Sequence, residues 1–245
     1  MRELLVVNPN TSALVSQLLQ SHVQAAAGLH VRVRTVTARF GAPYIADEAS
    51  YAVAAHATLD SWAKALADTA TPPSAVLIGC FGDPGLMALR ESSPVPVTGL
   101  AEAAFIEAAR HGRYAIVTGG ERWGPMLQRL AHALGQAQQL AGIHTVVPTG
   151  AELAADPAAA HRLLAQACRD AAHQLGVDAV ILGGAGLAGM AAVVQAQVPV
   201  PVIDSVVAGT HWALRVAPQP PLRNTPGFNA PWQGLSPEMH ALAPP

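Results

Sequence analysis

Cys80 is the residue of this sequence whose type and position most clearly suggest chemistry. It lies in AVLIGCFGDPGL (75–86), where an apolar run ends in a glycine-rich turn before a predicted short helix. Backbone N–H groups at a helix start favour negative charge, so this turn is expected to lower the pKa of the thiol and make it a proton donor or acceptor. The alternative is a buried thiol without function, which is common for free cysteine.

The same pattern returns as AVILGGAGLAGM (179–190), with Gly184 in the place of Cys80. PVPV at 94–97 likewise recurs at 199–202, which indicates two similar halves. If a pseudo-twofold axis relates them, the two turns face each other across one cleft. A small anionic or enolate-forming ligand would then bind between two sets of residues, namely Cys80, Phe81 and Gly82 on one side and Gly184, Ala185 and Gly186 on the other.

Further polar residues follow strands that are predicted to end at the same edge. Asn8, Asn10 and Thr11 lie in VNPNTS, and Thr118 and Gly119 lie in VTGGE. Such residues can hydrogen-bond a ligand oxygen, and they are equally typical of strand-to-helix turns. We predict them as substrate-binding residues, with turn and cap chemistry as the alternative.

Two carboxylates are close to these turns in sequence. Asp83 could orient the thiol, although capping of the following helix is favoured. Glu102 follows PVPV and could either reach the cleft or be an ordinary first-turn glutamate. Tyr44, Phe81 and Trp123 are predicted to form apolar walls of the cleft.

Composition and motifs argue against several functions. The chain has 14 Lys and Arg against 16 Asp and Glu, with no basic stripe for a nucleic acid. Neither a signal peptide nor an apolar window of about 18 residues is evident, so we predict a cytoplasmic location without membrane contact. No metal or nucleotide motif is recognised, so no metal and no cofactor are predicted. Cys168 lies in a helical pattern and is predicted to be a core residue, and a homo-oligomer is the ordinary expectation.

The elements that must position these residues alternate between strand and helix. Uninterrupted apolar strands are typical of parallel sheets with helices on both faces. We predict an α/β fold of two pseudo-symmetric flavodoxin-like halves, each a mostly parallel four-stranded sheet, with the active site between them. The first half comprises residues 1–98 and 205–216, the second comprises 99–204, and 217–245 form a proline-rich surface arm.

The segments VNPNTS, GCFGDPGL, LGGAGLAGM and PVIDSVVAGTHWAL resemble the aspartate/glutamate/hydantoin racemase superfamily, most nearly its hydantoin and allantoin racemases. The resemblance implies two pseudo-symmetric α/β halves, no cofactor, and two cysteines on opposite faces of the substrate. One cysteine removes the α-proton and the other delivers a proton from the far side. Cys80 matches the first cysteine, whereas Gly184 stands where the second is expected.

Three functions are compatible with this departure. The first is a racemase or epimerase of a cyclic imide or amino-acid derivative, in which water, Glu102, Asp83 or a flipped substrate serves the second face. The second is a lyase similar to arylmalonate decarboxylase, in which N–H groups of residues 81, 82, 185 and 186 hold an enolate that Cys80 protonates. The third is a binding protein that has lost catalysis. The racemase hypothesis ranks first because its motifs surround Cys80.

Overall fold

Two four-stranded sheets organise the protein in a computed structural model that describes residues 2–215 and 227–242. The first sheet contains β1 (Arg2–Asn8), β2 (Val31–Thr37), β3 (Ala75–Ile78) and β4 (Val97–Gly99), in the spatial order β2-β1-β3-β4. The second contains β5 (Tyr114–Gly119), β6 (Leu140–Val146), β7 (Ala179–Gly183) and β8 (Val202–Asp204), in the order β6-β5-β7-β8. All pairings are parallel and the two orders correspond strand for strand, which confirms the predicted fold class.

The helices connect successive strands and flank both sheets. In the described residues they are α1 (Ala13–Ala27), α2 (Glu48–Ala67), α3 (Leu86–Ser92), α4 (Leu100–Ala109), α5 (Trp123–Ala133), α6 (Gly150–Ala155), α7 (Pro157–Leu175), α8 (Met190–Val194), α9 (Ser205–Arg215) and α10 (Pro237–His240). Two 3₁₀ turns cover Ala185–Leu187 and Gln195–Gln197. Within 2–215 and 227–242, no helix combines the length and the apolar character that a bilayer crossing requires.

Local signals explain most of these boundaries. The Ser12 side chain accepts a hydrogen bond from the N–H of Val15 and so caps α1, and Gly28, with φ of 76°, ends it. The short helices α6 and α10 were not predicted, because four to six residues carry little periodic signal.

Alternate residues of the central strands serve two different cores. Leu4 and Val6 of β1 point into a core that lies between the two sheets and also contains Tyr114 and Ile116 of β5. Leu5 and Val7 of β1 belong to a separate cluster on the outer face of the first sheet. Since α1, α4, α5 and α9 all contribute to the shared core, the two halves are packed into one body.

The C-terminal segment from 227 to 242 packs on the outer face of the first sheet. Phe228 and Met239 are buried there beside Trp62 of α2, and Glu238 forms an ion pair with Arg39 at 3.2 Å. The predicted arm therefore includes a short helix that is docked against the body. Residues 216–226 and 243–245 of the predicted arm lie outside the described part of the chain.

Candidate active site

A small cavity lies between the carboxyl ends of the two sheets, where strands from both halves end. Its volume is about 40 Å³, which is room for a few water-sized groups. Eight of the predicted site residues line it: Asn10, Cys80, Phe81, Thr118, Gly119, Gly184, Ala185 and Gly186. The predicted wall residues Tyr44 and Trp123 line it as well.

A tight turn after β3 positions Cys80. The Gly79 N–H donates to the Val7 carbonyl at 2.8 Å, and the Asp83 N–H closes the turn on the Cys80 carbonyl at 3.1 Å. A Cβ atom at Gly79 would lie 2.6 Å from Leu19 Cδ1, so a larger residue there would have to displace the Leu19 side chain. The following helix begins only at Leu86, so residues 80–82 form a turn and not the predicted helix start.

The environment of Cys80 differs from the sequence-based expectation. The side chain is buried, and burial raises the pKa of the Cys80 thiol, with the nearby Asp83 carboxyl raising it further. The predicted lowering of this pKa is therefore wrong. At neutral pH the group is mainly a thiol, and its thiolate is a stronger base than that of an exposed cysteine.

Asp83 caps a helix that is distant in sequence. The backbone of Asp83 has a φ of 52°, and the Asp83 carboxylate accepts hydrogen bonds from the N–H groups of Ala101 at 2.9 Å and Glu102 at 2.7 Å. Asp83 lies outside the cavity and caps the N-terminus of α4. The sequence had instead predicted that it binds the substrate, orients the thiol or caps the helix that directly follows it. Burial raises the pKa of Asp83 to about 7, because it outweighs the two N–H donors.

Glu102 is engaged away from the cavity. Its carboxylate accepts hydrogen bonds from Arg90 at 2.6 Å and from the Thr98 hydroxyl at 2.8 Å. Neither Glu102 nor Asp83 therefore reaches the second face of a ligand in the cavity. The hypothesis that one of them carries a proton there is not supported by their positions.

The loop after β1 presents one residue to the cavity and uses its neighbours for support. Asn8 is fully buried, and its amide donates to Asn10 Oδ1 at 3.0 Å and to Ser16 Oγ at 2.9 Å. Thr11 donates its N–H to the Ala42 carbonyl at 3.1 Å. Asn8 and Thr11 do not line the cavity, and the turn chemistry that the sequence offered as the alternative accounts for the contacts of Asn8. Asn10 lines the cavity, and its Nδ2 group forms no hydrogen bond with the described residues.

The part of the cavity wall that the second half contributes consists mainly of main-chain atoms. The Thr118 hydroxyl donates to the Gly183 carbonyl at 2.8 Å, and the Gly184 N–H donates to Ser205 Oγ at 3.2 Å. Gly184 has φ of 145°, a conformation that side chains rarely adopt. The N–H groups of the next two residues, Ala185 and Gly186, form no hydrogen bond within residues 2–215 and 227–242. They remain available to a ligand oxygen.

Aromatic residues close the remaining sides. The hydroxyl of Tyr44, in the loop between β2 and α2, accepts a hydrogen bond from the Gly150 N–H at 3.0 Å. Trp123 packs edge-on against Tyr51 with ring centroids 6.5 Å apart. The Tyr51 hydroxyl donates to the Gly82 carbonyl at 2.9 Å, so Gly82 supports the wall and, contrary to prediction, does not line the cavity.

Sequence reasoning missed six cavity residues, which are Val15, Ile45, Gly79, Gly150, Gly183 and Leu187. No signal marks them, because an apolar residue or a glycine looks the same in a core as in a cavity wall. Among residues 2–215 and 227–242, no three His, Cys, Asp or Glu side chains converge in a way that could hold a metal ion.

Comparisons with known proteins agree with the fold. The family model described as Asp/Glu/Hydantoin racemase matches residues 4–213. A hydantoin racemase of Pseudomonas sp. (strain NS671) is 29% identical over 209 residues, covering 85% of this chain and 83% of that protein. One from Paenarthrobacter aurescens is 31% identical over 217 residues, covering 87% and 89%. The structure of an allantoin racemase from Klebsiella pneumoniae matches with a TM-score of 0.85 and 28% identity, covering 100% of both chains.

Proposed function

The chain belongs to the Asp/Glu/hydantoin racemase family, and we propose that it inverts the α-carbon of a small cyclic amide or imide without a cofactor. Hydantoins and allantoin are the first candidates, because relatives across most of the chain carry these names. The observation that carries the proposal is the position of Cys80, which lines a cavity between the carboxyl ends of both sheets.

In this proposal Cys80 exchanges a proton with the α-carbon. The thiolate takes the α-proton and becomes a thiol, while the C–H electron pair moves into the adjacent carbonyl and forms an enolate. The raised pKa of Cys80 makes the thiolate scarcer at neutral pH but more basic. A proton delivered to the opposite face of the carbon gives the other enantiomer.

Groups on both sides of the cavity can hold the enolate oxygen. The N–H groups of Phe81, Ala185 and Gly186 have no acceptor in the described part of the chain, and the Asn10 amide is similarly open. Donors that are already oriented cost little reorganisation when negative charge develops on the substrate. Their arrangement supports a small anionic or cyclic-imide substrate.

The size of the cavity indicates which substrates to test first. A volume of about 40 Å³ holds only a few water-sized groups. Rings with compact substituents therefore fit this cavity best. We therefore expect 5-methylhydantoin and allantoin to be processed better than 5-benzylhydantoin.

The test uses the separate enantiomers of 5-methylhydantoin and allantoin at neutral pH in D₂O. Loss of optical rotation reports inversion, NMR reports exchange of the α-hydrogen, and the rate without enzyme is subtracted. We expect Cys80→Ala to slow inversion by about 10²–10⁴-fold. Cys168→Ala is the matched control, because Cys168 is fully buried in α7 away from the cavity. Inversion that survives Cys80→Ala would contradict the proposal.

Gly184 favours a second candidate function, a lyase with one acid. The 184–187 turn carries no ionisable group, as expected of an enzyme that protonates from one side only. In such a reaction an α-carboxylate leaves as CO₂, its bond electrons form an enolate, and the Cys80 thiol protonates the carbon. Release of CO₂ from a substituted malonate, with no exchange in any hydantoin, would support this candidate over the racemase.

A further inference from the structure

Inversion needs a proton carrier on each face of the substrate, and the second-half turn offers none. Gly184 and its neighbours Gly183, Ala185 and Gly186 have no group that ionises. Asp83 is bound to the start of α4, and Glu102 is bound to Arg90 and Thr98. If protein groups carry both protons, the second carrier must therefore come from another part of the cavity wall.

The cavity wall contains two ionisable side chains in the described part of the chain. One is Cys80 and the other is Tyr44; the remaining lining residues are aliphatic residues, glycines, Asn10, Thr118, Phe81 and Trp123. Tyr44 comes from the loop between β2 and α2, and its hydroxyl lies near Trp123, since a Cβ atom at Gly120 would lie 3.8 Å from Trp123 Nε1 and 3.9 Å from the Tyr44 hydroxyl oxygen.

The hydroxyl of Tyr44 lies along the wall that belongs to the second half. It accepts the N–H of Gly150 at 3.0 Å, and the carbonyl of Gly150 would lie 2.6 Å from a Cβ atom at Gly186. The hydroxyl therefore lies beside the turn that contains Gly184, whereas Cys80 is held by the turn of the first half. The two ionisable groups thus lie along different walls of the cavity, although both residues belong to the first half.

The hydrogen-bond pattern leaves the Tyr44 proton free. Its oxygen accepts from Gly150, and within residues 2–215 and 227–242 no acceptor binds the hydroxyl hydrogen. The same Gly150 N–H would stabilise the tyrosinate that remains after the proton has been given away. This N–H lowers the pKa of Tyr44, against a larger increase from burial.

From this geometry we infer that Tyr44 is the catalytic proton carrier on the substrate face opposite Cys80, an inference that rests on the proposed racemase function. In one direction the Cys80 thiolate removes the α-proton, and the Tyr44 hydroxyl gives its proton to the other face of the enolate carbon. The products are the inverted substrate, a Cys80 thiol and a Tyr44 tyrosinate. The opposite enantiomer reacts by the reverse steps, or water restores the starting protonation state.

Tyr44→Phe tests the inference, because it removes the hydroxyl and keeps the ring. We expect inversion of 5-methylhydantoin to fall by about 10²–10⁴-fold, whereas the enantiomer whose hydrogen faces Cys80 still exchanges it for deuterium with retention. Cys80→Ala should show the complementary pattern, with exchange confined to the other enantiomer. Tyr51→Phe is the matched control, since the Tyr51 hydroxyl binds Gly82 and does not line the cavity.

The outcomes separate this inference from the proposed function. Inversion by Tyr44→Phe at the wild-type rate would overturn the role of Tyr44 and leave the racemase intact. Loss of exchange in both enantiomers, with an unchanged melting temperature, would also overturn it, because Tyr44 would then serve binding. If the wild-type protein exchanges no substrate, the racemase proposal itself fails, and this inference fails with it.

Discussion

The ring of Phe81 lies directly over Gly183, so a Cβ atom at Gly183 would overlap the ring carbons. This contact joins the turn after β3 to the end of β7 across the cleft. Phe81 is buried and packs edge-on against Phe105, with ring centroids 6.1 Å apart. Because Phe81 follows Cys80 in the chain, the contact also holds the thiol in place.

Gly183→Ala should therefore damage both stability and activity. The added methyl group must displace the Phe81 ring, and overpacking of this kind costs about 1–3 kcal/mol. We expect the urea midpoint to fall and kcat/KM to drop at least tenfold. Adding Phe81→Leu should recover part of the stability. Gly124→Ala is the control, since a Cβ atom there meets nothing within 4 Å; equal behaviour of the two alanine variants would contradict the prediction.

Repeats and apolar strands were sufficient to predict the fold. The alternation of strand and helix determines a parallel sheet, and the repeated turn brings Cys80 and Gly184 to the same cavity. The role of Asp83 could not be predicted in this way, because its partners at 101 and 102 are neighbours only in the folded chain. The pKa of Cys80 was predicted in the wrong direction for the same reason, since burial depends on packing that no local pattern reports.

Asp83 should give the protein an unusual dependence of stability on pH. Burial and the Glu102 carboxyl raise the pKa of Asp83 to about 7, whereas the unfolded chain has its ordinary value of 3.8. Between these values the folded state holds a proton that the unfolded state has released, so stability falls as the pH rises. We expect the free energy of unfolding, measured in urea, to decrease from about pH 4 to pH 7 relative to Asp83→Asn.

Asp83→Asn is a suitable reference because asparagine tolerates the φ of 52° and does not titrate. Its side-chain oxygen can still accept one of the two N–H groups at the start of α4. If the free energy of unfolding of the wild-type protein instead increased with pH relative to that of Asp83→Asn over the same range, Asp83 would be ionised in the folded protein, contrary to the prediction.

Gly184→Cys should provide a second thiol at a cost in stability. The φ of 145° disfavours any side chain, and a Cβ atom would lie 3.3 Å from Leu187. We expect a loss of about 1–3 kcal/mol in thermal or urea unfolding. In a Tyr44→Phe background, the new thiol should restore measurable inversion. Gly184→Ser in the same background is the control, because a hydroxyl of that size is a poor proton carrier; recovery with serine would contradict the interpretation.

The docked C-terminal segment should contribute to stability through Phe228 and little through Trp232. Phe228 is 9% exposed and packs with Trp62 and Leu89, whereas Trp232 is 48% exposed. We expect Phe228→Ala to cost about 3 kcal/mol of unfolding free energy and Trp232→Ala less than about 1 kcal/mol. Because this contact is on the outer face of the first sheet, neither variant should change kcat/KM more than a few-fold below its melting temperature. Equal, small losses of unfolding free energy in both variants would contradict the prediction. They would mean that Phe228 does not hold the segment against the apolar cluster on the outer face of the first sheet.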